Sequence, residues 1–340
     1  MQPGQWMHAH GLQRKEPDMT TMTIRKAWTL GTSCTIAAVD KNSTSRFLGQ
    51  TDDYTRGMSA VDRMVRCQLA ADPGHDAFMR FVAEQACEFA PDDISRLDRI
   101  MAIIGPQLEP YASALPQEIW LMLTSGTEEG VTAAYTRGQA VILPTFFRNI
   151  DDDRLAYVMI HELFHVLSRY DDERRSRLYK IIQYEPCPPL EFPAILEHAR
   201  LSNPDGYRND HLVRLEFGGK MKTFMSIILP RERYNPQSEK TILQYVFDTL
   251  LEVKVKKTRT VMAGKFPILC YPEKFPDLWE KVGRNTTYIS HPDEILADNF
   301  VRLVLHRTVP DPWVLEEMEK ILLQKGGDEI HTTCPVSAIV

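Results

Sequence analysis

The chain has 340 residues, 43% of them apolar, and its 40 basic and 46 acidic side chains leave a formal net charge of -6. That balance offers no basic footprint for nucleic acid, no apolar run reaches the length of a membrane span, and the length suffices for one large domain or two. The six cysteines are scattered without a CxxC pair and make no disulfide framework.

Residues 1–54 read as a disordered arm or a weak export signal. Met1 to Asp18 is polar, and Arg25-Lys26 followed by Ala27 to Val39 is patterned like such a signal over 22–39, diluted by Thr29, Gly31, Thr32, Ser33 and Thr35. Cytoplasmic and exported locations both stay open. From 55 to 115, apolar residues at three and four spacing over Met58 to Leu69, Ala77 to Phe89 and Ile94 to Ile104 predict a helical module, with Gly105-Pro106 ending its last helix. Ile119 to Thr124 and Ala133 to Leu143 predict strands, and Arg137-Gly138 can turn the chain within the second. Between them, Gly126-Thr127-Glu128-Glu129-Gly130 reads as a solvated turn or as the acidic rim of a cleft.

The most informative segment follows. His161, Glu162 and His165 form an HExxH motif inside Val158 to Leu167, where Glu162 is the only charged residue apart from the two imidazoles. Such a string arises by chance in roughly one or two of every hundred chains this long, but these apolar flanks bury it. Buried polar groups need partners, and one shared metal satisfies both imidazoles at once. On a helix, positions i and i+4 share a face, so His161 and His165 can meet on one ion with Glu162 alongside as a base. Two imidazoles suit Zn2+, and a carboxylate beside the metal can take a proton from attacking water. Asp151, Asp152 and Asp153 supply a cap and negative charge at the helix start, and the helix leaves the core near Tyr170.

The stretch 171–290 carries its own pattern: Leu212 to Phe217, Lys222 to Leu229 and Leu243 to Val253 predict strands, or strands and a helix, separated by turns at Asn203-Pro204-Asp205-Gly206 and Asn235-Pro236. Helices near Glu294 to His306 and Pro312 to Leu323 close the core. The fold class is α+β, mainly helical, with a small sheet before the HExxH helix and a mixed insert within 116–340.

A catalytic zinc keeps one coordination position open, so a third protein ligand is needed. The metzincin pattern is excluded, because Ser168 and Asp171 stand where it requires Gly and His. Glu185 lies among prolines that preclude a continuous helix. The segment His291-Pro292-Asp293-Glu294-Ile295-Leu296-Ala297-Asp298, with Pro292 in a first turn and Glu294 and Asp298 on one face, resembles the second zinc-binding helix of the gluzincin metallopeptidases, the thermolysin-like clan. The alternative role for Glu294 is capping, as the third helical residue after His291.

The resemblance covers only the two helices, and more than a hundred residues separate His165 from Glu294, a longer gap than the clan commonly has. It implies a zincin-like domain in which Glu294 binds Zn2+ and Asp298 accepts a hydrogen bond from a ligating imidazole, His161. It also implies that an edge strand, assigned to Ala134 and Tyr135, holds an extended peptide substrate, unless those residues form an ordinary packed hairpin. Tyr288 and His291 are candidates for stabilising an oxyanion, with His211 behind them. The expected activity is zinc-dependent peptide hydrolysis on a peptide or protein. The alternatives are a zinc hydrolase of a non-peptide amide or ester and a non-catalytic metal-binding scaffold. Cleavage preference and oligomeric state do not follow from the sequence.

Overall fold

The computed structural model describes residues 22–188, 190, 192–254 and 259–324. Strands β1 (Ile24–Leu30) and β2 (Cys34–Val39) form an antiparallel hairpin turned at Gly31, whose φ of +53° suits a residue without Cβ. These strands and the helix after them lie where the sequence reading expects a disordered arm or a weak export signal. The residues that dilute the apolar run belong to strand and turn: Thr29 and Thr35 lie on the strands, and Gly31, Thr32 and Ser33 make the bend. Met1 to Asp18, read as polar and disordered, lies outside the described residues.

Five helices follow: α1 (Lys41–Leu48), α2 (Asp53–Arg56), α3 (Ala60–Cys67), α4 (His75–Glu84) and α5 (Pro91–Leu108). Helix α5 runs through Gly105-Pro106, where the sequence reading puts a stop. Pro106 falls in the last turn, where it removes one intrahelical bond, to the carbonyl of Ala102, and the helix still continues to Leu108, which is fully buried. Strands β3 (Glu118–Thr124), β4 (Tyr135–Arg137) and β5 (Ala140–Pro144) complete a five-stranded sheet in the order β1-β2-β3-β5-β4. Its two central pairings, β2 with β3 and β3 with β5, are parallel. The hairpin of β4 and β5 turns at Gly138, with φ +55°, and leaves β4 as an edge strand carrying Tyr135.

Strands buried on both faces read as continuous apolar runs, and side chains then alternate between two cores. Ile36, Ala38, Ile119, Leu121, Leu123, Val141 and Leu143 join the main core with α5 and the helices that follow. Ala37, Val39, Trp120, Met122 and Ile142 point the other way, onto Phe47 of α1 and Phe78 and Val82 of α4. Helices therefore cover both faces of the sheet.

Helix α6 (Asp152–Tyr170) carries the HExxH motif, and the Asp151 carboxylate caps it by accepting from Arg154 N–H at 2.7 Å. Helix α7 (Asp172–Ile181) leads into a second, antiparallel sheet built from β6 (Tyr184–Pro186), β7 (His211–Glu216), β8 (Met221–Pro230) and β9 (Val246–Lys254), with α8 (Ala194–Ala199) and α9 (Ile242–Tyr245) between strands. This insert is not an appendage. Val213, Leu215, Phe224 and Leu250 from its strands enter the same core as α6. Helices α10 (Pro276–Val282), α11 (Pro292–Val304) and α12 (Trp313–Leu322) finish the described chain, and α11 packs along α6. Among the described residues no helix is long and apolar enough to cross a membrane.

Candidate metal centre

Helices α6 and α11 bring the motif and the distant acidic pair face to face. Their contact is apolar: Phe164 and Phe300 rings lie 5.6 Å apart, and Ile160, Leu163, Ile295, Leu296 and Ala297 are fully buried around them. One turn along each helix then sets polar residues in register. His161 Nε2 lies 3.1 Å from Glu294 Oε2, and His165 Nε2 lies 3.4 Å from the same oxygen. Two donors about 2.0–2.1 Å from a tetrahedral ion are separated by about 3.3 Å, so these spacings match the edges of a metal's coordination shell. His161, His165 and Glu294 are thus a set that can hold a metal ion.

The other ring nitrogens face carboxylates. His165 Nδ1 is 2.7 Å from Asp293 Oδ2, and Asp293 Oδ1 accepts from the Tyr179 hydroxyl at 2.7 Å and from the Ser168 hydroxyl. His161 Nδ1 lies 3.3 Å from Asp298 Oδ1, within ion-pair reach but without hydrogen-bond alignment. Asp298 also accepts from the Tyr157 and Thr286 hydroxyls. Carboxylates in these positions fix ring orientation and tautomer. Glu294 Oε1 accepts from Asn203 Nδ2 at 2.5 Å.

Without a metal, protons and carboxylates compensate one another. Burial works against a charged His161, yet the Asp298 and Glu294 carboxylates outweigh it and lift the imidazole to about 9. Burial, which would raise Glu294, is overcome by His165 and His161, and its carboxyl is held well below the usual range. Glu162 is different. It is 5% exposed, its Oε2 has no hydrogen-bond partner, and burial followed by the charge of Asp205 raises it to about 8. A carboxylate oxygen is thus buried without a partner beside the three convergent donors, an exception to the rule that buried polar atoms are bonded.

The remaining candidates separate clearly. The ring of Tyr288 lies nearly parallel to that of His161, at 18° and 6.4 Å, and the residue is 44% exposed. His291 offers no donor into the site. Its Nδ1 accepts from Asp293 N–H as the cap of α11, and Nε2 faces the Arg208 carbonyl at 3.4 Å. His211 packs edge-on to Tyr179 at 4.6 Å and is held by Asp210, behind the centre. Glu185 is exposed on β6. Glu128 and Glu129, read as a rim or solvated turn, are buried, Glu129 pairing with Arg66 at 2.9 Å and Glu128 accepting from the Tyr135 hydroxyl at 3.1 Å.

Among the acids and amides of the centre, three escape the sequence reading: Asp293, Asn203 and Asp205. Asp293 adjoins Glu294 but reads as an ordinary first-turn acid. Asn203 and Asp205 read as turn residues. No family model matches the chain, and no curated protein or solved structure does so either.

Proposed function

We propose that this protein is a zinc-dependent metallopeptidase of gluzincin-like construction. Two imidazoles and a glutamate are a donor set suited to Zn2+ that leaves a fourth position for chemistry, and His161, His165 and Glu294 supply it. The observation that carries the reading is the buried, unpartnered Oε2 of Glu162 beside that set. A purely structural metal has no use for such a group, because burying it is costly and its neighbours already suffice as ligands.

When bound, the ion supplies Lewis acidity toward water and the scissile carbonyl. Glu162 accepts the proton of the attacking water and passes it to the leaving amine as the C–N bond breaks. Asp298 and Asp293 keep the two imidazoles in the tautomer that turns Nε2 toward Glu294. Tyr288, stacked on His161 and open to solvent, is the donor we assign to the developing oxyanion.

Glu162→Gln tests this mechanism. The variant is expected to keep its zinc, measured by metal analysis, and to lose about 10²–10⁴-fold in cleavage of an unbiased peptide library. Turnover equal to wild type would overturn it. A zinc-loaded wild type that cleaves esters or non-peptide amides but no peptide would shift the substrate class and leave the chemistry standing.

A further inference from the structure

The segment from Ser202 to Arg208 of the insert lies between the edge strand β4 and the start of α11. It is tied to both. Asp205 Oδ1 accepts from Thr136 N–H at 2.9 Å, Asn203 Nδ2 bonds Glu294, and Arg169 donates to the Pro204 carbonyl at 3.1 Å. At one end, Ser202 N–H donates to Asp62 Oδ2 at 3.0 Å, and its carbonyl accepts from the buried Arg66 at 2.7 Å. Gly206 lies so close to His291 that a Cβ there would sit 2.7 Å from the ring, so the flat approach requires glycine.

Thr136 N–H is an outward donor on the sheet's edge, the kind of group that holds an extended peptide by strand addition. In this protein an internal carboxylate already takes it. The same carboxylate reaches the metal centre: Asp205 has a donor atom within 4.8 Å of those of Glu162 and His165. Its side chain is only 7% exposed. A scissile carbonyl would need that side of the centre, next to Glu162.

We infer that the segment from Ser202 to Gly206 occupies the path of a substrate backbone, with Asp205 in the place of a substrate carbonyl on β4, so that the centre is held latent until the segment withdraws. This rests on the peptidase reading above. Substrate and segment then compete for one backbone donor. Whatever frees Asp205 from Thr136 raises activity without altering the ligands.

The test uses the zinc-loaded full chain, a fluorescent dipeptide hydroxamate as probe, and wild type beside Asp205→Ala, Asn203→Ala and Asp205→Asn. Asp205→Ala is expected to bind the probe roughly tenfold or more tightly, the scale of one lost charge-assisted hydrogen bond, and to cleave peptides correspondingly faster. Asp205→Asn keeps an acceptor for Thr136 N–H but loses the charge, and is expected to bind the probe with an affinity between those of wild type and Asp205→Ala. Asn203→Ala, which cuts the tie to Glu294 instead of the one to β4, loosens the segment in the same direction should Asp205→Ala fail to fold, and its zinc content is measured beside it to show that Glu294 still binds. Equal probe affinity in every folded variant overturns the occlusion. Tighter probe binding without peptide cleavage keeps the occlusion and overturns the peptidase reading; cleavage by wild type with no gain in the variants does the reverse.

Discussion

Asp293 shows how much of the centre depends on residues that never face a metal. Asp293 is 2% exposed and its carboxylate meets His165 Nδ1, the Tyr179 hydroxyl and the Ser168 hydroxyl, so a first-turn acid is converted into a fixed partner for one imidazole. Asp298 serves His161 less directly, at 3.3 Å and out of hydrogen-bond alignment. Replacing such a partner typically lowers metal affinity by about 10- to 100-fold. Asp293→Asn is therefore expected near the upper end of that range and Asp298→Asn near the lower. Competition against a chromophoric chelator measures both. Wild-type affinity in Asp293→Asn would show that His165 needs no carboxylate behind it.

The centre is split between two helices, so the packing of α6 on α11 determines whether three donors meet. Phe164 and Phe300 are fully buried at that contact, and Phe164→Ala is expected to cost about 3–5 kcal/mol in denaturant unfolding and to weaken metal binding with it. Destabilisation with unchanged metal affinity would mean the helices hold register through other contacts. These two elements were also the most legible in the sequence. Their caps, their i,i+4 pairs and their apolar faces are local signals, and Asp151, His161, His165, Glu294 and Asp298 all carry them. What escaped the reading is nonlocal. Asp205 finds Thr136 across 69 positions and Asn203 finds Glu294 across 91, so the turn signal in Asn203-Pro204-Asp205-Gly206 gave no hint of its destination. Burial of Glu129 likewise depends on Arg66, 63 positions earlier. The hairpin of β1 and β2 was obscured for another reason: a short apolar run interrupted by Thr and Ser fits a poor signal sequence as well as a strand pair.

At the scale of the whole molecule, a metal at the proposed centre would link folding to the ion and to pH. In the metal-free protein His161 is lifted from its ordinary 6.5 to about 9, and His165 is also raised, because the neighbouring carboxylates outweigh burial. A raised folded-state value means that the stability contributed by the His161 cation is complete below about 6.5 and is lost as pH rises through about 9. Metal binding runs the other way. It requires neutral imidazoles, so each displaced proton lowers metal affinity about tenfold per pH unit below that range. A ligand that binds only the folded state adds about 4 kcal/mol at a thousandfold excess over its Kd. The melting temperatures of zinc-loaded and chelator-treated protein should therefore diverge as pH rises from about 6 to about 9: the metal-free form loses its imidazolium pairs while the loaded form gains affinity. Thermal melts at fixed free zinc measure the gap. A gap constant over that range would show that the ion does not displace protons from His161 and His165, and would move the metal away from α6.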